Sequence, residues 1–144
     1  MKILIISDTH YKIEDALFII KRLAPSQVIH LGDMTSDAVN IKNAYPDIEM
    51  YSIKGNNDFF TMAPAELIAE FFGERFFMTH GHRFNVKSGM EHLAAHAKRL
   101  GAKYALFGHT HLPFNKEVDG VRLLNPSSNG YIIIENGKIE VHKY

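Results

Sequence analysis

Four consecutive aliphatic residues, Ile3-Leu4-Ile5-Ile6, three of them β-branched, give way to Ser7-Asp8-Thr9-His10. Unbroken apolarity over this length is the pattern of a strand covered on both faces. It commits the chain to a layered fold with this strand inside. In an extended chain, residues two apart point the same way. Asp8 and His10 therefore aim an oxygen and a nitrogen at a common point just past the strand. Asp-Thr is also an ordinary helix N-cap, so the pair needs support from the rest of the chain.

That support repeats along the sequence. Ile13, Ala16, Leu17, Ile20 and Leu23 have helical spacing, with Pro25 beyond the end. Val28, Ile29 and Leu31 make a short strand that runs into Gly32-Asp33. Residues 36–44 form a second short helix before Pro46. Ile48, Met50, Tyr51 and Ile53 make a strand ending in Gly55-Asn56-Asn57-Asp58. Gly-Asp and Gly-Asn-Asn-Asp are also common turns. In open α/β sheets, however, ligands collect outside the carboxyl ends of the strands.

Phe59 to Phe72 is apolar and is expected to hold a short helix after Pro64, ending at Gly73. Phe76 to Met78 make a strand leading to Thr79-His80-Gly81-His82. Residues 86–100 give the clearest helix, with Met90, Leu93, Ala94, Ala97 and Leu100 as its buried stripe. His92 and His96 stand four apart on it, opposite the stripe and beside Arg99, and are read as facing solvent. Tyr104 to Phe107 is a strand ending in Gly108-His109-Thr110-His111, which repeats the spacing of Asp8 and His10. Asp119-Gly120 then joins strands 113–118 and 121–125. After the polar turn 125–130, Asn136-Gly137 joins strands 131–135 and 138–142. Two sheets packed face to face with helices outside both satisfy this order.

Composition narrows the function. The 144 residues suit one domain, 1–144, able to bury roughly 70% of its unfolded surface. Acidic and basic residues number 16 each, so there is no broad positive field for strong nucleic-acid binding. There is no cysteine, which excludes thiolate catalysis and sulfur-ligated metals. The first apolar run is too short for a signal peptide or a membrane span. A cytoplasmic location and no membrane partner are expected. Nine histidines are unusual and invite a search for metal ligands.

Seven ligand-type residues stand at strand ends: Asp8, His10, Asp33, Asn56, His80, His109 and His111. Their nitrogen and oxygen donors suit Mn²⁺, Fe²⁺, Zn²⁺, Co²⁺ or Ni²⁺. Seven exceed the needs of one zinc and match two metals sharing a carboxylate. Two divalent ions, two aspartates and a bridging hydroxide leave the site at about +1, which attracts a phosphate ester. Bound water with a pKa near 7 supplies hydroxide at neutral pH.

The ordered set Asp-x-His, Gly-Asp, Gly-Asn-x-Asp, His-Gly-His and Gly-His-Thr-His resembles the calcineurin-like metallophosphoesterases. The nearest likeness is to their short prokaryotic branch, the YfcE-type phosphodiesterases, over essentially the whole chain. The resemblance implies a four-layer α/β/β/α sandwich of two mixed sheets. It implies one metal on Asp8, His10, Asp33 and His111, and another on Asp33, Asn56, His80 and His109, with Asp33 bridging. Manganese is the first expectation, with Ni, Co, Fe or Zn as alternatives. Asp33, Asn56, Asn57 and Asp58 are the expected catalytic residues. Many members carry His where this chain has Asn57, and there it contacts phosphate and protonates the leaving oxygen. An amide donates a hydrogen bond but supplies no proton at neutral pH. The late turn has Ser127 where the family often has glycine.

The implied reaction is hydrolysis of a small phosphate ester, most naturally a diester, by a metal-bridging hydroxide. The alternative from another class is a protein-interaction scaffold of the same fold, as in one retromer subunit. The intact seven-residue ligand set favours the enzyme. A single structural metal would leave ligands without a role. Short intervals between motifs leave no room for a cap domain. Phe59, Phe60, Arg83 and Phe114 adjoin motif residues and are candidates for the mouth of the site. A homo-oligomer is compatible with all of this.

Overall fold

In the computed structural model, which describes residues 1–144, Ile3 to Ile6 are fully buried inside a five-stranded sheet. The chain runs β1 (Lys2–Ile6), α1 (Glu14–Leu23), β2 (Gln27–His30), α2 (Thr35–Ala44) and β3 (Glu49–Ser52). It continues through β4 (Glu66–Phe71), β5 (Glu74–Thr79), a single 3-10 turn at His82–Phe84, α3 (Glu91–Arg99) and β6 (Tyr104–Leu106). Two antiparallel pairs complete it: β7 (Pro113–Val118) with β8 (Val121–Pro126), and β9 (Gly130–Glu135) with β10 (Lys138–Lys143).

One sheet has the order β10-β9-β1-β2-β3 and the other β4-β5-β6-β8-β7. Strands β1, β2 and β3 are mutually parallel, as are β5, β6 and β8. The remaining pairings are antiparallel. The period-2 alternation of a strand divides each apolar run between two cores. Ile3 and Ile5 join Phe76, Met78, Leu106 and Leu124 between the sheets. Leu4 and Ile6 face the other way and pack with Ala16, Ile19 and Ile20 of α1 and Ile41 of α2. Phe77, Ala105 and Leu123 pack against Leu93, Ala94 and Ala97 of α3. Three cores between four layers make the α/β/β/α sandwich.

Parallel β1, β2 and β3 deliver their carboxyl ends to one pole of the sandwich, and β5 and β6 do the same in the second sheet. Three hairpin turns lie at the opposite pole, at Phe72-Gly73, Asp119-Gly120 and Asn136-Gly137. All six of these residues have φ between 51° and 84°. Positive φ at both central positions is the two-residue turn that matches strand twist.

The segment after Pro64 is a strand, not the expected short helix. Leu67, Ala69 and Phe71 turn toward the core between the sheets, while Glu66, Ile68 and Glu70 are exposed. Leu, Ala and Glu favour helix by propensity, but pairing with β5 over six residue pairs overrides it. The turn that signals the hairpin begins with Phe72, where Asn or Asp is usual. The helix expected over 86–100 is shorter, Glu91–Arg99. Gly89 before it has φ +155°, and Val86 is buried beside Gly81. His92 is exposed as expected. His96 is half-buried, with ring centres 5.1 Å from Phe77 and 5.0 Å from Phe84.

His30 is completely buried at the end of β2. Its Nδ1 accepts the Gly32 N–H at 3.2 Å, so the proton sits on Nε2 and is donated to Thr9 Oγ1 at 2.8 Å. Thr9 in turn donates to Asp37 Oδ2 at 2.5 Å, which also accepts the Tyr11 N–H at 2.7 Å. This chain ties the loop after β1 to the end of β2 and the first turn of α2.

Burial lowers the His30 pKa from 6.5 to about 4, against the opposing pull of Asp37, Asp8 and Asp58. The unfolded chain therefore binds this proton first as pH falls. The contribution of His30 to stability is complete above pH 6.5 and erodes toward pH 4. It amounts to roughly 3 kcal/mol over that interval. Urea unfolding at pH 7, 5.5 and 4.5 should show the loss, and His30→Gln should remove that part of the slope. An identical slope in the variant would assign the acid sensitivity to other groups.

Candidate metal centre

The functional pole is built by the loops that follow β1, β2, β3, β5 and β6. They carry Asp8 and His10, Asp33, Asn56, His80, and His109 and His111 respectively. The first three loops belong to one sheet and the last two to the other, so the site closes the gap between the sheets. Asp8 Oδ1 lies 3.7 Å from His80 Nε2 and 3.3 Å from His111 Nε2. His80 Nε2 is also 3.6 Å from Asp33 Oδ2. His109 Nδ1 lies 3.1 Å from Asn56 Oδ1. The His10 and His111 rings are 5.5 Å apart.

The convergence does not come from extended strands, as the i, i+2 argument supposed. β1 ends at Ile6, and Asp8 and His10 have φ of 55° and 45°. Asp33, His109 and His111 are also left-handed, at 47°, 68° and 64°. Five of the seven ligand-type residues thus occupy a region costly to L-residues other than glycine, by roughly 1–2 kcal/mol each. Hydrogen bonds hold the turns. Asp8 Oδ2 accepts the Ser7 hydroxyl at 2.6 Å and the His109 N–H at 3.1 Å. Asn125 is fully buried, and its amide donates to Gly108 O and Thr110 Oγ1, each at 3.0 Å.

Two glycines make the close approach feasible. Gly32 has φ +105°, and a Cβ there would lie 2.8 Å from His80 Nδ1. A Cβ on Gly108 would overlap Ser7 Oγ and sit 2.6 Å from Asp8 Oδ2. Ser127 occupies a left-handed φ of 72°, which accounts for the preference for glycine there. Its hydroxyl accepts the Asn129 N–H at 3.2 Å.

Orphaned atoms test whether these residues fit a cation. His80 Nδ1 lies 2.8 Å from the Leu31 carbonyl, which can only accept, so Nδ1 carries the proton. In the neutral ring Nε2 is then a bare lone pair, and no group donates to it. Asp8 Oδ1 and His10 Nε2 are likewise buried without partners. Buried polar atoms normally have partners. A bound cation would satisfy nitrogen and oxygen atoms facing one another at 3.3–3.7 Å. Two ligand groups result: Asp8, His10 and His111, and Asp8, Asp33 and His80. The donor set fits intermediate divalent cations, and the Leu31 carbonyl supplies the outer hydrogen bond that metal-binding imidazoles need. Asp8 belongs to both groups, and Asp33 to one.

Burial works to raise the Asp33 pKa, but the Asn57 backbone N–H, His80 and the Asn57 side chain outweigh it and hold the carboxyl below its usual range. The two Asn57 bonds run from N to Asp33 Oδ1 at 3.0 Å and from Nδ2 to Asp33 Oδ2 at 2.8 Å. Asp58 turns away from the centre. Its oxygens accept the backbone N–H groups of Asp33, Gly55 and Thr35 at 2.7–2.8 Å. It therefore positions the two loops.

His82 was not among the seven, yet its ring is 5.6 Å from His80 and 6.0 Å from His109. Its Nδ1 is buried without a partner. Burial, then His80 and Arg83, lower its pKa, and burial with His80 does the same to His109. The i, i+2 spacing from His80 was the available signal. Asn125, breaking an apolar run before Pro126, was another. Phe59 and Phe60 flank a groove beside Asn57. Phe114 instead packs on Phe107 in the core beneath α3.

Residues 1–133 match the family model of the calcineurin-like phosphoesterase superfamily domain. YsnB, a probable metallophosphoesterase of Bacillus subtilis, is 32% identical over 131 residues, covering 89% of this chain and 75% of its own. A solved archaeal phosphodiesterase superposes with a TM-score of 0.75 at 24% identity, over 97% of this chain and 98% of its own. Vps29 of Entamoeba histolytica, solved with zinc, gives 0.79 at 20% identity, over 97% and 96%. The two solved structures establish likeness of fold.

Gly108→Ala should push Asp8 off its position without touching any ligand chemically. Divalent-cation affinity measured by titration calorimetry should fall about 10–100-fold, the range for an outer support. Affinity equal to that of the parent would show that Asp8 does not depend on this contact.

Proposed function

The chain belongs to the calcineurin-like phosphoesterase superfamily and is a metal-dependent phosphoesterase, and we propose from that premise that it cleaves phosphodiesters with two divalent cations. The observation that carries the reading is the pair of ligand groups meeting at Asp8, with unpartnered nitrogen and oxygen atoms in both. Asn56, Asn57 and His111 are exposed at the rim, so a phosphate with ester groups on two sides has access. Two cations held here would lower the pKa of water and neutralise a phosphoryl oxygen.

The side chains then divide the work. Leu31 fixes the His80 ring so that Nε2 faces the centre. Asn57 holds both oxygens of Asp33, and Asp58 holds the loops that carry them. A water oxygen, having lost a proton to solvent, bonds to phosphorus, the ester P–O bond breaks, and the departing oxygen takes a proton. Asn57 cannot provide that proton. Asp58 cannot either, because its oxygens are engaged by backbone amides. Solvent supplies it. Mn²⁺ is the first cation in this reading, followed by Ni²⁺, Co²⁺, Fe²⁺ and Zn²⁺. The substrate is a small cytoplasmic phosphate ester. No helix is long and apolar enough to cross a membrane. The scaffold alternative gains no support from a site in which five of the seven expected residues fall into two candidate ligand groups.

Chelated protein should be inactive toward an aryl phosphodiester and recover with Mn²⁺. Asp33→Asn should cost more than the roughly 100-fold typical of an outer support, while His92→Ala should leave the rate unchanged. Full activity after chelation, or equal losses in the two variants, would sink the mechanism.

Missing general-acid catalysis is typically worth about 10²–10⁴-fold. Across a series of aryl methyl phosphates, rates should therefore rise steeply as the leaving phenol becomes more acidic. A flat plot would mean that the protein delivers the proton after all.

A further inference from the structure

A groove of about 1030 Å³ runs outward from Asn57 and Asp58. Tyr11, from the loop after β1, and Val39, on α2, lie along it. The segment after Asp58 forms another wall with Phe59, Phe60 and Met62. β3 and β4 contribute Met50, Ser52 and Leu67. Tyr11 is 70% exposed, Val39 58%, Phe59 78%, and Phe60 and Met62 completely. Isolated exposed apolar residues are ordinary, but a contiguous set along a groove marks a binding surface.

Two properties define the occupant. The groove is electrically quiet: its two charged residues are Lys42 and Asp58. Lys42 donates to the Pro46 and Ile48 carbonyls at 2.7 and 2.5 Å, and Asp58 is engaged by three backbone amides. One lysine and one aspartate cancel in net charge, so the groove offers no cluster of like charge to hold a second phosphate or a cationic head group. The groove also carries hydrogen-bonding capacity. Ser52 Oγ is buried without a partner, and Asn40 and Asn43 line the same space. A neutral, flat group with a polar edge meets both conditions. Aromatic walls favour ring stacking.

We propose that this groove binds the ester group retained by the product, and that the preferred substrates are phosphodiesters carrying a neutral aromatic or heteroaromatic group. The proposal rests on the phosphodiesterase reading. The groove shares Asn57 with the metal centre, so phosphate on the cations places one ester substituent at its inner end. The opposite substituent departs toward solvent. Phe60 and Val39 are specificity-determining residues and touch no reacting atom.

The test holds the leaving group constant. Manganese-loaded protein is given phenyl para-nitrophenyl phosphate and methyl para-nitrophenyl phosphate. kcat/KM should favour the phenyl ester at least about 10-fold, a modest return for one ring in an apolar pocket. Phe60→Ser and Val39→Lys replace exposed side chains and should bring the ratio toward one by slowing the phenyl ester more than the methyl ester. Zinc-loaded protein provides a second measurement. Phenyl phosphate should move the methyl NMR signals of Met34, Met50 and Met62, which line the groove, and methyl phosphate should not. Equal efficiency on the two diesters, or a preference indifferent to both substitutions, overturns the proposal and leaves the phosphodiesterase reading standing. A dimer in solution that Val39→Lys splits also overturns it, because a second copy then fills the groove. If neither diester is cleaved, the phosphodiesterase reading fails. The methionine signals then decide the groove: movement with phenyl phosphate alone retains it as an aromatic phosphate site, and no movement removes it.

Discussion

Asp8 is held on one oxygen and bare on the other, and the site depends on that asymmetry. Oδ2 is fastened by its neighbour Ser7 and by the backbone of His109, 101 residues away in the chain. Oδ1 lies 3.7 Å from His80 Nε2 and 3.3 Å from His111 Nε2 and has no hydrogen-bond partner. The His109 contact joins the loop of one sheet to the loop of the other. The register of the sandwich and the geometry of the cation ligands are therefore one problem. Sliding the sheets apart would cost Asp8 its anchor as well as opening the core between them.

Stability is spent at that pole and gained elsewhere. Buried carboxylates and left-handed non-glycine residues are unfavourable in isolation. Three apolar cores between four layers offset them. Cation binding adds to the balance, because a ligand that favours the folded state stabilises it by mass action. His30 sits where the two tendencies meet. It is buried with the core and hydrogen-bonded to the loops, so its neutral form serves both.

Much of this was legible in the order of the residues. Apolar runs ended by Asp, Asn or His marked the strands and the pole where they converge, because burial on both faces leaves little ambiguity about a strand. The hairpins at Asp119-Gly120 and Asn136-Gly137 were readable from their turn chemistry. The one at Phe72-Gly73 was not, because phenylalanine gives no signal for a left-handed turn. The manner of convergence was also hidden. Asp8, His10, His109 and His111 adopt conformations imposed by distant partners such as Asn125, and spacing alone implied a straight strand. The partners of Asp58 were hidden for a similar reason, since the amides of Asp33 and Thr35 come from a distant loop.

The three hairpin turns lie at the pole remote from the cations, and a Cβ placed on Gly73, Gly120 or Gly137 would meet nothing within 4 Å. The glycines packed against the ligands, Gly32 and Gly108, have no room for a Cβ, whereas the turns at the far end are open. Lengthening those turns changes neither a core nor a ligand. The architecture therefore has a free direction: a longer loop or a tether built at the far end would find open space and meet no cation ligand.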